Sequence, residues 1–328
     1  MKNNIIISEI DDFDCLEESQ YIFTSKVWLD FLQRDKKGTP LVLKVVINDK
    51  TVYFVSLLFK KGIKMCGSPF EGWNTPYMGF ININTLTDEE KHLTINKTVK
   101  YLKRKKNCWY IQICDWNINL DFVKKYKYKY EIKRTYFKDI SCDEGMLLSS
   151  FRKDVRKNIK YFSNNRLQLR EEEPNNNFVT NYYNQLVDVF GKNGLSPSYS
   201  KEKVLLLMNT FSNSTNNILL ESVWLPGNDI CIASGVYFIY KKRLYSFGSA
   251  SYREYQHLRP NEYVRWHAMR KAKEYGCTEY DLMGFAEYKE KFRPILTNLP
   301  VLYFEKVPFI HYFKNIFKKR FYKSIGKK

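Results

Sequence analysis

The sequence predicts an α/β or α+β protein organised as two successive units of like construction. Three observations carry this. Apolar residues alternate with a period of two in some segments and recur at helical spacing in others. The order hairpin, helix, strand occurs once in each half of the chain. The helix–strand junctions of the two halves also compare directly, KYLKRKKNCWYIQICD in the first and MRKAKEYGCTEYDLMG in the second.

The first half opens with a strand over residues 4–10. A helix follows, started by Thr24 or Ser25, with Trp28, Leu29 and Leu32 on one face. Residues 41–47 and 52–59 read as strands joined by a turn at Asn48-Asp49-Lys50. A long Gly/Pro loop, GSPFEGWNTPYMGF, separates them from a helix that Thr87 and Glu90 open as a capping box and that runs to about Lys106. Residues 108–114 are the closing strand.

The second half begins with a basic helix over residues 146–162, then helices over 178–190 and 201–211. Strands over 218–224 and 230–240 flank a turn at Pro226-Gly227-Asn228-Asp229, and a third covers 244–248. Pro260 suits the first turn of the next helix, and Gly276 its left-handed end. Residues 277–282 close the unit. The boundary falls near Asp143, giving units 1–143 and 144–328.

The chain has 328 residues, of which 44% are hydrophobic and 16% aromatic, enough for two packed cores. Its start has too short an apolar stretch for a secretory signal, and no window approaches the ~20 apolar residues of a membrane span. The expected location is cytoplasmic, with peripheral contact at the inner membrane face. The seven cysteines form no CxxC pair and no zinc spacing, so neither a metal nor a disulfide is expected. The net charge of +19 fits either an anionic partner or a Lys-rich solvated surface, since the lysines are spread over several segments.

The run GSASYREYQHLRPNEYVRWHAMRKAKEYGCTEYDLMGF, followed by EYKEKF, resembles the FemABX peptidyltransferase family and its acetyltransferase-like relatives. The carrying motifs are Leu258-Arg259-Pro260-Asn261, the helix Trp266 to Ala272, Tyr280 to Gly284, and Tyr288-Lys289-Glu290-Lys291-Phe292. In the first half the likeness rests on element order and the WNTPYMG loop. The resemblance implies tandem GNAT-like domains, each a mixed, mostly antiparallel sheet flanked by helices, with the second carrying the catalytic cleft. It implies no metal and no bound cofactor. The donor substrate is then aminoacyl-tRNA or acyl-CoA, and the acceptor an amine on a nucleotide- or lipid-linked envelope precursor. Two departures stand out. Residues 256–261 hold no glycine where an acetyl-CoA-binding GNAT has a glycine-rich phosphate loop. There is also no coiled-coil arm.

Acyl transfer to an amine needs a free amine, a positioned carbonyl and a partner for the oxyanion. By the resemblance, Lys289 is the substrate- or oxyanion-stabilising lysine, with Tyr288 beside it; an ordinary surface lysine is the alternative. Asp281 would orient or deprotonate the amine, or else brace the turn at Gly284; Glu287 is a second carboxylate candidate. Tyr245, Ser249, Arg259 and Phe292 are expected around the cleft. Trp73, Asn74 and Tyr77, in the Gly67–Gly79 loop, would line an acceptor pocket or simply pack. Arg152, Lys153, Arg156 and Lys157 share a helical face that would meet phosphates of a precursor or of tRNA, or water. The tail over 309–328 interleaves Phe313, Phe317 and Phe321 with cations. It reads as an interfacial membrane helix or as a helix docked by its Phe stripe on the second unit. Two further functions stay open: an acyl-CoA-dependent N-acetyltransferase acting on an amino sugar or small metabolite, and a non-enzymatic basic protein that binds nucleic acid.

Overall fold

The computed structural model describes residues 4–164, 166–192, 194–212, 218–227 and 230–316. Contacts divide the chain into one unit of the residues up to Arg134 and from Asn298 on, and a second of Thr135–Thr297. The division falls inside the strand Tyr130–Asp139, which its five charged residues hide from a test of apolar alternation. The first unit also recovers a late strand, Ile295–Glu305, whose residues from Val301 on pair with Tyr110–Cys114.

In the first unit, β1 (Ile5–Ile10) leads through 3₁₀ turns to α1 (Lys26–Lys36), β2 (Thr39–Ile47), β3 (Lys50–Lys61), β4 (Ile63–Ser68) and β5 (Gly79–Ile81). Then come α2 (Asp88–Arg104), β6 (Tyr110–Cys114) and α3 (Leu120–Lys125). Ser25 caps α1 by accepting from Trp28 N, and Trp28, Leu29 and Leu32 are buried beneath it. The capping box of α2 is present in both directions. Strands β1 to β4 pair antiparallel in chain order, β5 pairs β3, and β4 runs parallel to β6 across α2. Leu43, Val45, Phe54, Ile95, Val99 and Ile111 meet in its core.

The strand Tyr130–Asp139 is β7; its residues from Thr135 on belong to the second unit. There follow α4 (Glu144–Ser150), α5 (Lys153–Asn164), β8 (Gln168–Glu172), α6 (Asn176–Gly191) and α7 (Lys201–Phe211). The unit ends with β9 (Ile218–Trp224), β10 (Cys231–Tyr240), β11 (Arg243–Ser251), α8 (Pro260–Glu274) and β12 (Glu279–Asp281), while Ile295–Glu305 is β13. The expected single helix over 146–162 is two, broken where Phe151 turns extended and buries its ring edge-on to Trp266 and Phe292. Strands β8 to β11 pair antiparallel, β11 runs parallel to β12 across α8, and β12 pairs antiparallel with β7.

The units repeat one plan: an antiparallel run, then a helix crossing to a parallel neighbour. The matched junctions behave alike in detail. Asn107 and Gly276 are both left-handed, and the cysteine after each donates its amide back into the helix, Cys108 to Leu102 O and Cys277 to Ala272 O.

Gly79 shows how closely the first core is fitted. It has φ +85°, and a Cβ there would lie 2.0 Å from Asp115 Oδ2, which accepts from Phe80 N at 2.6 Å. Gly79→Ala is expected to cost about 2–4 kcal/mol from the strained backbone and the overlap together. A fall in the urea midpoint measures it, and an unchanged midpoint would show that Asp115 moves freely.

Candidate active site

The site in the second unit begins where two strands part. β11 and β12 pair over three residues only, Arg243↔Glu279 to Tyr245↔Asp281. The pair is tied by an Arg243–Glu279 ion pair at 2.7 Å. Strand β11 runs on to Ser251, but β12 stops, because the Asp281 carboxylate accepts from Met283 N at 2.7 Å and folds the chain into a turn with left-handed Met283 and Gly284. Thr135 Oγ1 joins the turn, accepting from Gly284 N at 2.8 Å and lying 3.4 Å from Asp281 Oδ1.

A cavity of about 420 Å³ lies beside the free end of β11. Its polar lining is Ser249 and Ser251 of β11, Gln256, Arg259, Asn261, Glu262 and Arg265 from the approach to α8 and its first turns, and Tyr288 with Lys291 from the segment after β12. Leu186, Val189 and Phe190 of α6 supply an apolar wall. Arg265 is only 4% exposed. One of its terminal nitrogens donates to Ser249 Oγ at 2.7 Å, its guanidinium lies 5.1 Å from the Tyr288 ring centre, and its buried Nε has no hydrogen-bond partner among the described residues. Lys291 pairs with Glu262 at 2.5 Å. Helix α8 starts at a left-handed Arg259 with no side-chain cap, so the amides of its first turn lack that covering. A buried guanidinium, two further cations and an open helix start make this cavity suited to an anionic group.

Of the residues expected at the cleft, Tyr288, Ser249 and Arg259 line this cavity. Lys289, Asp281, Tyr245 and Phe292 are buried in the packing instead. Lys289 donates to Leu282 O at 2.7 Å and Gly284 O at 3.2 Å, so it staples the turn that ends β12. Burial first, and Arg265 second, push its ammonium down to about 8 against the pull of Asp281. Glu287 opens the 3₁₀ turn that carries Tyr288 and Lys289. Arg156 is held by the carbonyls of Ser149 and Phe151, while Arg152, Lys153 and Lys157 face solvent.

Sequence reasoning missed Arg265, Glu262 and Lys291, and it missed a buried pair: Glu221 of β9 with His267 of α8, 2.7 Å apart. The helix wheel held a clue to the first of these, since Arg265 shares its face with Ala268 and Met269, which are wholly buried.

Residues 149–291, which span this cavity, match the family model described as an acetyltransferase (GNAT) domain. The second unit is a GNAT acyltransferase domain. Among solved structures, that of FemX matches the chain with a TM-score of 0.72 at 12% identity, over 89% of this chain and 96% of that one. L-PGS from Bacillus licheniformis matches with a TM-score of 0.51 at 12% identity, over 92% and 96%. A tandem GNAT protein from the clavulanic acid biosynthesis pathway gives 0.50 at 8%, over 93% and 99%. At such identities the likeness is one of fold: the FemAB-like, tandem GNAT architecture read from the sequence is the one the chain adopts. No curated protein matches the sequence.

The GNAT plan of the first unit has a cavity of its own, about 570 Å³, where β4 leaves its four-residue parallel pairing with β6. The Gly/Pro loop lines it through Pro69, Phe70, Glu71 and Pro76, joined by Gln112, Glu131 and Lys133. Trp73 and Tyr77 turn away into aromatic packing, Trp73 on Phe59 and Phe70, Tyr77 on Phe23 and Trp116; Asn74 takes a left-handed turn position.

The Glu221–His267 pair gives a test of this domain's buried charge. Burial pushes the Glu221 carboxyl up to about 7 from an ordinary 4.5, against the pull of His267. The folded state therefore holds that proton more tightly than the unfolded chain does. This contribution to stability is complete below about 4.5 and is lost as pH rises through about 7. The Tm should fall between about pH 5 and 8, and less so in Glu221→Gln. Equal slopes in the two proteins would show that the carboxyl does not titrate there.

Proposed function

We propose that this acyltransferase forms an amide on an amine of a cell-envelope precursor, a peptidoglycan or surface-polysaccharide intermediate carried on a nucleotide or a lipid. The observation that supports it most is the cavity beside β11, with Arg259, buried Arg265 and the open start of α8 gathered at one wall. That wall would take the phosphate-bearing end of the donor. The donor carbonyl would then lie toward Ser249 and Tyr288, with the Arg265 guanidinium and the Tyr288 hydroxyl as candidate partners for the oxyanion.

In the step itself the amine nitrogen bonds to the donor carbonyl carbon. The carbonyl's bond to the leaving oxygen of an aminoacyl ester breaks; the amine gives up a proton to solvent, and the leaving oxygen takes one up to depart as a hydroxyl. Lys289 and Asp281 act in this reading as positioning residues. They hold the turn from which Tyr288 reaches the cavity, rather than meeting substrate. Tyr245 and Phe292 are buried in the packing of the second unit. The exposed Arg152, Lys153 and Lys157 would meet donor or acceptor phosphates.

Aminoacyl-tRNA is the donor of first choice, because the approach to α8 lacks the glycines that would let a compact pyrophosphate lie against the backbone. The uncapped α8 start favours a second reading, acyl-CoA acting on an amino sugar, in which a thioester C–S bond breaks instead.

The test is transfer from labelled aminoacyl-tRNA and labelled acetyl-CoA to a panel of nucleotide- and lipid-linked precursors. Arg265→Gln should lower kcat by about 10²-fold. Lys289→Ala should lower activity together with thermal stability, since it frees the turn. Transfer from acetyl-CoA alone would overturn the choice of donor, and silence with both would overturn the envelope-precursor reading.

A further inference from the structure

Helical residues 310–316 belong to the first unit and sit on it the wrong way round. A helix on a protein surface ordinarily turns its apolar side inward and its polar side to water. Here the polar side chains dock. His311 shares a hydrogen bond with the Tyr110 hydroxyl at 2.8 Å and another with Glu131 Oε1 at 3.0 Å, and its ring stacks on Tyr303 at 3.7 Å, 4° from parallel. Lys314 donates to Gln112 Oε1 at 2.9 Å, and Asn315 donates to Glu131 Oε1 at 2.9 Å.

The aromatic side chains point outward. Phe309 is 67% exposed, Tyr312 60% and Phe313 56%, with Val307 also exposed just before them. Phe309 holds φ +75°, a backbone region unfavourable for a bulky residue, so an exposed phenylalanine stands where glycine or asparagine would be unstrained. Trp109 lies alongside, half-exposed. Its carbonyl accepts from Lys306 N at 2.8 Å, and the Lys306 ammonium lies 5.9 Å from its ring centre.

Charge says what would cover this face. From Lys306 to Lys328 the sequence has eight lysines and arginines and no aspartate or glutamate. Phe317 and Phe321, which continue the Phe spacing, lie outside the described residues. Outward phenylalanines carry no group that could read a base edge or a polar peptide. Beside Lys306, and followed in the sequence by a basic run without an acid, they match the boundary of a bilayer, where rings enter the acyl layer and ammonium groups stay among the headgroups.

We propose that the face carrying Phe309, Tyr312 and Phe313 docks on an anionic lipid surface. The polar underside fixes the helix to the first unit, and the basic stretch after it supplies the attraction to the headgroups. The docked face would hold the enzyme at the surface where a lipid-linked acceptor resides. Docking itself needs no transfer, so it stands or falls apart from the choice of substrate.

The test is flotation of the full chain with vesicles of phosphatidylglycerol and phosphatidylcholine, against vesicles of phosphatidylcholine alone. Binding is expected to the first only, to weaken with salt, and to fall at least about tenfold in Phe309→Ser/Phe313→Ser. Both side chains are exposed, so the double variant should melt as the native chain does. Equal binding by the variant would assign the effect to net charge alone and overturn the proposal, as would no binding or equal binding to neutral vesicles. A dimer in sedimentation that the variant abolishes would assign the face to a second copy of the chain. RNA binding that the variant abolishes, with vesicle binding unchanged, would assign it to nucleic acid.

Discussion

β11 and β12 run side by side for three residues and then separate, and what the second unit can do depends on that separation. A parallel pair that continued would present an unbroken sheet with every amide engaged. The pair stops because Asp281, wholly buried, turns from strand to cap and takes the amide of Met283. Lys289 then reaches back from the following 3₁₀ turn to the carbonyls of Leu282 and Gly284, closing the corner from its other side. A buried carboxylate and a buried ammonium are costly to place in a core unless hydrogen bonds compensate them. Both side chains are held by hydrogen bonds here, and the return is a gap beside β11 into which Ser249 and Arg265 open.

The same economy explains where the unit keeps charge. A guanidinium as deeply buried as that of Arg265 needs partners on several sides. Ser249, the rings of Tyr288 and Phe292, and nearby Glu262 provide some of them, while Nε has no hydrogen-bond partner among the described residues. Glu221 and His267 present the complementary case. Their pair satisfies one carboxylate oxygen and leaves the other without a partner among the described residues, and burial is what holds the proton so far up the pH scale.

Much of the scaffold was legible because it is written in local chemistry. Ser25, the Thr87–Glu90 box, Pro260 and Gly276 each announce a helix end through a hydrogen bond or a dihedral that few residue types can supply. The repeated junction was legible for the same reason. Strands β7 and β8 were not, since their charged residues erase the alternation by which a strand is recognised; pairing with neighbours decides them. The break between α4 and α5 is likewise settled at a distance, by the pocket that Phe151 fills. The site was legible in its motifs, and bracing the turn at Gly284 was one of the two readings open for Asp281. Lys289 and Asp281 stand out in the sequence because they build the corner, whereas Arg265 looks like any lysine or arginine on a helix until its face is known to be inward.

The two helix starts make the sharpest contrast between the repeats. Helix α2 opens with Asp88, Glu89 and Glu90, and its capping box closes in both directions between Thr87 and Glu90. Lys50 and the Thr87 amide hold the Glu90 carboxyl down at about 2, so the negative charge persists at any ordinary pH. An anion approaching that helix would meet amides already engaged and like charges in front of them. Helix α8 has the same place in its unit, yet it has Arg259 at its cap with no side chain folded over the first turn, and its one early acid, Glu262, is bound to Lys291. A duplicated plan has therefore kept its sheet and reversed the electrostatics of one helix end. The difference gives a physical reason to expect an anionic group at the start of α8 and not at the start of α2.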